Sequence, residues 1–413
     1  GGSGDSAKKG MSADVIARND VKGSVTIPED FKIGMICLHD ENSTYDNNFI
    51  SALKSAAKGL GLADSQVVIV TGIGEDSKCY DTAVDLAKNK GCKIIFADSF
   101  GHESFMKQAA AEYPDVQFCH ATGTSAKIAG LDNFHNAFAS IYEGRYVAGV
   151  AAGMKLNEMI KEGKITDKEA VIGYVGAFTY AEVISGMTSF FLGARSVCPT
   201  ATMKVRYTGS WYDQAKEQEA ATALIENDKC VLISQHADSL GAPTACELKG
   251  VPNVSYNGST YSAGENSFIV SSAINWAPYF QYIIETVVSG NKIDADWCGT
   301  IATNSVVISG VNQDVAAEGT IDQLNKVIAE LKAGTLHVFD TSKFTISTKC
   351  TDGSYRTDDN GKVLVACATD TDSNFANDTD NAIIDGAYQE SYTQSAPSFV
   401  LRIDGIKELN ANS

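Results

Sequence analysis

Residues able to recognise a small molecule cluster immediately after short apolar, β-branched runs of this 413-residue chain. HDENSTYDNNF follows KIGMICL and carries His39, Tyr45 and Asp46, and KIIFAD leads into Asp98 and Ser99. The FTYAEV loop beyond AVIGYVG offers Phe178 and Glu182, and TGSWYD beyond MKVRYT offers Trp211. CVLISQ runs into His236 and Asp238, and NVSYN ends at Asn257. None of these groups forms a nucleophile–base pair. GxSxG, GxxxxGK[ST] and HExxH are absent, and TGIGED misses the dinucleotide spacing GxGxxG. An enzyme is therefore not expected. What remains is recognition chemistry: aromatic faces that stack a flat ring, and Asp and Asn that exchange hydrogen bonds with its edge. A buried Asp facing a ring N–H discriminates against any ligand lacking that donor. Sugar sites use the same residue types, and Tyr45 and Trp211 could instead simply cover strand ends.

The apolar runs alternate with helix-length amphipathic segments over roughly the first 260 residues. That alternation implies parallel strands buried on both faces, joined by right-handed crossovers. Open sheets of this α/β class bind ligands beyond the carboxyl ends of their strands, where the residues above fall. At this length two lobes are expected. One takes residues 31–132 plus 268–292, and the other 133–267 plus 293–340. Residues 1–30 read as a flexible tether and 341–413 as a β-rich C-terminal appendage. In LDNFHNAFASIYEGRYVAGVAAGMKL, the residues Ile141, Val147, Val150 and Ala151 make a helical stripe, and the Ala and Gly positions permit close packing.

Hydrophobic content of 44% with 20% charged residues is globular, not disordered. A net charge of -18 argues against a nucleic-acid partner. No apolar run approaches the ~18 residues that span a bilayer. The opening GGSGDSAKKG suits either an artificial leader or the tether of a mature lipoprotein. Ten cysteines without a CxxC pair make zinc an unlikely ligand, and no cofactor or metal is expected. Cys37, Cys92, Cys119, Cys198 and Cys230 read as small core residues. Cys350 and Cys367 flank TDGSYRTDDNGKVLVA, a hairpin that a disulfide could close. His39, His102, His120 and His236 lie near strand ends but on separate strands, which favours polar lining over a metal. DTDSNFANDTD resembles a calcium loop only loosely and reads as a solvated acidic loop.

Three stretches carry a family resemblance: FHNAFASIYEGRYVAGVAAG, IGYVGAFTYAEVISGMTSFFLGARSVCPTATMKVRYTGSWYDQAKEQEAATALI and ISQHADSLGAPTACELKGVPNVSYNG. With GARSVxP, GSWYDxxKExEAA and QHADS as its specific motifs, the chain from about 32 to 335 resembles the basic membrane protein family. These are substrate-binding lipoproteins of ABC transporters, also called the purine nucleoside receptor group. The resemblance implies a type I periplasmic-binding-protein fold, with two Rossmann-like lobes on a three-strand hinge that close on a purine nucleoside or nucleobase. It further implies a monomer, lipid-anchored outside the cytoplasm, that hands its cargo to a membrane permease. It places Tyr45 and Trp211 on the two base-stacking positions, and Asp46 where the family has an Asn contacting the base. Asp98 or Ser99 matches a ribose-contacting segment, and Glu182 and His39 fall on the rim. At Asn257 to Ser259 many relatives carry an acidic ribose ligand that this chain lacks. Either the sugar is held differently or the ligand is a free base. A sugar or autoinducer carrier, and a surface receptor on the same fold, are the alternatives.

Overall fold

The computed structural model describes residues 7–368, 379–391 and 394–411. The acidic loop DTDSNFANDTD and the first six residues lie outside the described residues, apart from the loop's last two positions. Among the described residues, one sheet has six strands, all parallel. Its order is Asp296–Gly299, Phe134–Ala139, Gln117–Ala121, Ile94–Ala97, Ile33–Ile36 and Val67–Val70. The other has eight, in the order Met11–Ile16, Val306–Asn312, Phe268–Ile274, Asn253–Tyr256, Leu232–His236, Val171–Gly176, Thr202–Tyr207 and Ile406–Glu408. Every apolar run identified in the sequence is one of these strands. Nearly all residues of Ile94–Ala97, Gln117–Ala121 and Leu232–His236 are buried, as parallel strands covered on both faces must be.

Besides the passage along residues 17–32 that leads from Met11–Ile16 to Ile33–Ile36, the described chain crosses between the sheets at Ser140, at Asn275–Trp276 and between Thr300 and Ser305. The last three crossings are tied together: Ser140 N donates to Gly299 O at 2.8 Å, and Asn275 N to Ser305 O at 2.8 Å. This is the three-strand hinge of a type I periplasmic-binding fold. The helix Ala277–Val288 lies with the first sheet, where Trp276 stacks on Phe49 at 4.6 Å and Phe280 meets Phe96 edge-on at 5.0 Å.

Sheet membership differs from the expected division at four places. Phe134–Ala139 opens no helix; it is an interior strand of the first sheet, and the long helix begins only at Ile141. Phe268–Ile274 belongs to the second sheet, and Asp296–Gly299 to the first. Each is an apolar run beside a crossing, and periodicity says nothing about which of two similar sheets will accept it. Residues 11–16 are not a tether either. They pair antiparallel with Val306–Asn312, and Arg18 continues the attachment by donating to Asn48 Oδ1 at 3.0 Å and Asn275 Oδ1 at 3.2 Å. The alternation in MSADVI was too weak to announce an edge strand.

The C-terminal region forms the expected hairpin, Tyr355–Thr357 against Val363–Ala366, but the thiols of Cys350 and Cys367 are free. Cys350 Sγ sits 3.2 Å from Asp352 Oδ1 and Cys367 Sγ 3.8 Å from Thr379 O. The region is also more than an appendage, because Ile406–Glu408 adds a parallel strand to the second sheet beside Thr202–Tyr207.

Candidate functional site

The carboxyl ends of both sheets face one narrow slot between the lobes. Leu38, Tyr45, Asp46, Ser99, Phe100 and Thr122 line it from the first lobe, and Glu182, Trp211 and Asp238 from the second. The unfilled space totals about 290 Å³, of which only about 10 Å³ admits a water-sized sphere. The lobes are thus closed on the site. Thr44 N and Oγ1 donate across the gap to Asp238 O at 3.2 and 3.3 Å, and His39 packs on Tyr212 at 5.2 Å.

Local structure explains how each group is aimed. Ser43 caps the helix Thr44–Leu60 by accepting from Asp46 N, which sets Tyr45 and Asp46 in its first turn beside the slot. Tyr45 is braced by its hydroxyl, which donates to Asp98 O at 2.6 Å, and by edge-on packing against Phe49 at 5.0 Å. Across the slot Trp211 meets Phe178 edge-on at 5.3 Å, while its carbonyl accepts from Asp238 N at 2.8 Å. Two aromatic groups from opposite lobes therefore border the same space.

The electrostatics are one-sided. Burial raises Asp98 well above its usual range, and the neighbouring Asp46 charge raises it further. Burial also acts to raise Asp46, but hydrogen bonds from Asp98, His39 and Ser43 outweigh it and hold the carboxyl at about 2. The two neighbouring carboxyls are thus pushed in opposite directions, Asp98 up and Asp46 down. Asp238 is raised by burial and then by Asp46, Glu217 and Glu182. Glu182 Oε1 accepts from Tyr256 OH at 3.3 Å. Among the described residues, no lysine or arginine lines the slot. Arg145, a fully buried cation of the second lobe, is engaged elsewhere. Its guanidinium carbon is 4.8 Å from the centre of the Phe190 ring, and its nitrogens donate to Ser255 O, Tyr174 OH and Ser234 Oγ.

Six of the residues singled out in the sequence thus meet at the slot: Tyr45, Asp46, Ser99, Glu182, Trp211 and Asp238. The others do not line it. Asp98 lies beneath, with Oδ1 accepting from Leu38 N at 3.0 Å. His39 sits on the rim, 3.6 Å from Asp46, and Phe178 supports Trp211. His236 is fully buried behind Glu182, stacked on Tyr256 at 4.0 Å, and burial lowers its pKa. Asn257 serves the hinge, accepting from Asn48 Nδ2 and Ile274 N. Sequence reasoning missed Leu38, Phe100 and Thr122 as lining groups. Phe100 directly follows Ser99, one place beyond the residues chosen after KIIFAD. Cys37, Asp46 and Asp98 bring potential ligand atoms within 4.8 Å of one another. Burial raises both the Cys37 thiol and the Asp98 carboxyl above their usual ranges, and Asp98 Oδ2 is buried without a hydrogen-bond partner.

The profile of the Bmp family, described as ABC transporter substrate-binding protein PnrA-like, matches residues 66–339. A protein of Haloferax volcanii named as an ABC transporter glucose-binding protein is 36% identical over 50% of this chain and 49% of its own length. This chain therefore spans about half of that relative. A purine-binding protein of Brucella abortus is 31% identical over 67% of this chain and 75% of its own. Among solved structures, an ABC transporter solute-binding protein from Conexibacter woesei superposes with a TM-score of 0.59 at 20% identity, covering 74% of this chain and 98% of that one. Sequence profile, architecture and interlobe slot agree: the chain belongs to the Bmp family of PnrA-like ABC transporter substrate-binding proteins.

Proposed function

We propose that this extracytoplasmic substrate-binding protein captures a purine, as base or nucleoside, between Tyr45 and Trp211 and presents it to its permease with the lobes closed. The observation that carries the reading is the composition of the slot: Tyr45 and Phe100 from the first lobe and Trp211 from the second, with Asp46, Asp238 and Glu182 beside them and, among the described residues, no cation. Three carboxyl groups with no cation beside them suit a ring carrying N–H groups and disfavour anions, since a phosphate there would sit among carboxylates. The purine-binding name of the Brucella relative points the same way. Binding makes and breaks no bond. Its product is the closed state, stabilised because the ligand touches both lobes only there.

The test is ligand-linked thermal stabilisation against adenine, guanine, hypoxanthine, their nucleosides, adenosine monophosphate and glucose. A cognate ligand at a hundredfold excess over its Kd adds about 2.7 kcal/mol of stability, while the monophosphate adds none. A panel in which only glucose stabilises would replace the purine reading by the sugar reading that the Haloferax relative's name supports. Trp211→Ala is expected to weaken purine binding about ten- to a hundredfold, from the loss of ~1–3 kcal/mol of stacking. Titration calorimetry showing unchanged affinity would remove Trp211 from the site.

A further inference from the structure

Beyond residue 339, where the family match ends, the chain does more than extend the second sheet. Residues 388–391 and 394–400 form a tongue whose root lies in the second lobe. Phe399 is fully buried there, stacked on Phe339 at 4.2 Å, and Phe339 packs on Tyr142 of the helix Ile141–Lys161 at 5.3 Å. Buried Glu390 accepts from Ser185 Oγ of the helix Ala181–Val197 at 2.8 Å, from Phe399 N at 3.2 Å and from Ser398 N. Tyr388 OH closes the root by donating to Ser398 O at 2.9 Å.

The tip of the tongue reaches the other lobe. Ser395, itself buried, donates from N and Oγ to the two carboxyl oxygens of Asp296 at 2.7 and 2.6 Å. Two donors on one carboxyl, at such lengths, make a strong and directional contact. Asp296 opens the strand Asp296–Gly299 of the first sheet, so the lobes are bridged here by chain that belongs to none of the crossings. The tongue's position decides what that bridge does. Ala396 and Pro397 border a void of about 310 Å³ together with Phe100 and Thr124 of the first lobe and Tyr180 and Glu182 of the second. Phe100 and Glu182 also line the slot, which sets the tongue at the mouth of the cleft. A contact on a hinge axis is indifferent to rotation. One at the mouth is broken when the lobes swing apart.

We infer that the tongue is a clasp: rooted in the second lobe, it grips the first through Ser395 and Asp296 only when the cleft is shut, and so favours the closed state before a ligand enters. It works alongside Thr44, whose hydrogen bonds to Asp238 O also cross the gap. Asp296 and Ser395 are positioning residues, since neither lines the slot. They set how much of the protein is closed, and such a shift changes the apparent affinity for every ligand by one common factor. The clasp acts on closure and not on the chemistry of the cargo, so it stands apart from the purine reading.

Small-angle X-ray scattering on the full, ligand-free chain tests it. The wild type is expected close to the radius of gyration of a compact chain of this length, about 22 Å. Ser395→Ala removes one donor, Asp296→Ala removes the acceptor of both, and Ser395→Asp sets a second carboxylate against Asp296. The radius should rise in that order. Circular dichroism and melting curves establish that each variant is folded, and the two Ser395 variants, outside any helix or strand, remain informative if Asp296→Ala misfolds. A tongue with a purely structural role would lower the melting temperature and leave the radius unchanged. That result in both Ser395 variants, or a wild type as expanded as Ser395→Asp, overturns the clasp.

Discussion

Glu390→Gln is expected to make the protein more stable than wild type at pH 8 while conferring no such advantage near pH 4.5. Glu390 is 4% exposed, and burial pushes its carboxyl up to about 7 despite hydrogen bonds from Ser185, Ser398 and Phe399. A glutamate in the unfolded chain titrates near 4.3. The folded state therefore keeps this proton over a range where the unfolded state has released it. Stability from the group is complete below about pH 4 and is lost as pH rises through 7. At 1.36 kcal/mol per unit, the gap amounts to about 4 kcal/mol. Gln keeps an acceptor for the backbone N–H groups and cannot ionise, so the variant should lack this loss.

The whole-protein profile mixes several such groups, so the variant must be compared with wild type at each pH. Glu217 and Glu143, also held near 7 by burial, act in the same direction as Glu390. Buried His102, His120 and His236 act oppositely. Burial lowers their pKa values, so stability from them is lost as pH falls below about 6.5. In the difference between wild type and Glu390→Gln these terms cancel. Melting curves at half-unit steps from pH 4.5 to 8 should diverge steadily above pH 5. Parallel curves would mean that Glu390 ionises freely and that the segment around it is not packed as described.

Much of this molecule could be read from its residues, and the misreadings share a cause. A doubly wound sheet writes itself as alternating β-branched runs and amphipathic helices, because strands covered on both faces tolerate little else. KIIFAD, CVLISQ and MKVRYT were therefore unambiguous. Partner choice is a tertiary property. FHNAFA, SFIVSSA and ADWCG all sit beside a crossing, and their composition suits either sheet equally. The slot was legible because strand ends in this architecture converge: Tyr45 and Trp211 are 166 positions apart yet border one space. Asp98 and His236 were misplaced for a reason of direction. Both stand at strand ends, but Asp98 turns back to the Leu38 amide and His236 packs against Tyr256. Nothing in the sequence distinguishes a polar side chain aimed into a cleft from one aimed behind it. Thr122 escaped notice because its unusual backbone and orphan hydroxyl exist only in three dimensions.

The tight stripe of small residues carries the other large effect. Gly193→Ala is expected to destabilise the protein by about 2 kcal/mol or more, although alanine favours a helix over glycine by about 1 kcal/mol. The helix Ile141–Lys161 crosses Ala181–Val197 so closely that backbone meets backbone. A Cβ on Gly193 would collide with Tyr146 O, and one on Gly149 with Phe190 O, both well inside 3.0 Å. A carbonyl cannot rotate away as a side-chain tip can, so the helices must separate and open the core around Phe190 and Val147. Gly144→Ala, on the same helix, meets only side-chain atoms of Val306, Ser272 and Ile141 and should cost less. Gly149 and Gly193 belong to one crossing, and the first methyl inserted already forces the gap that the second requires. The double variant should therefore lose less than the sum of the singles. Additive losses in chemical denaturation would show two independent contacts, and a Gly193→Ala protein melting at or above wild type would show that the helices do not approach this closely.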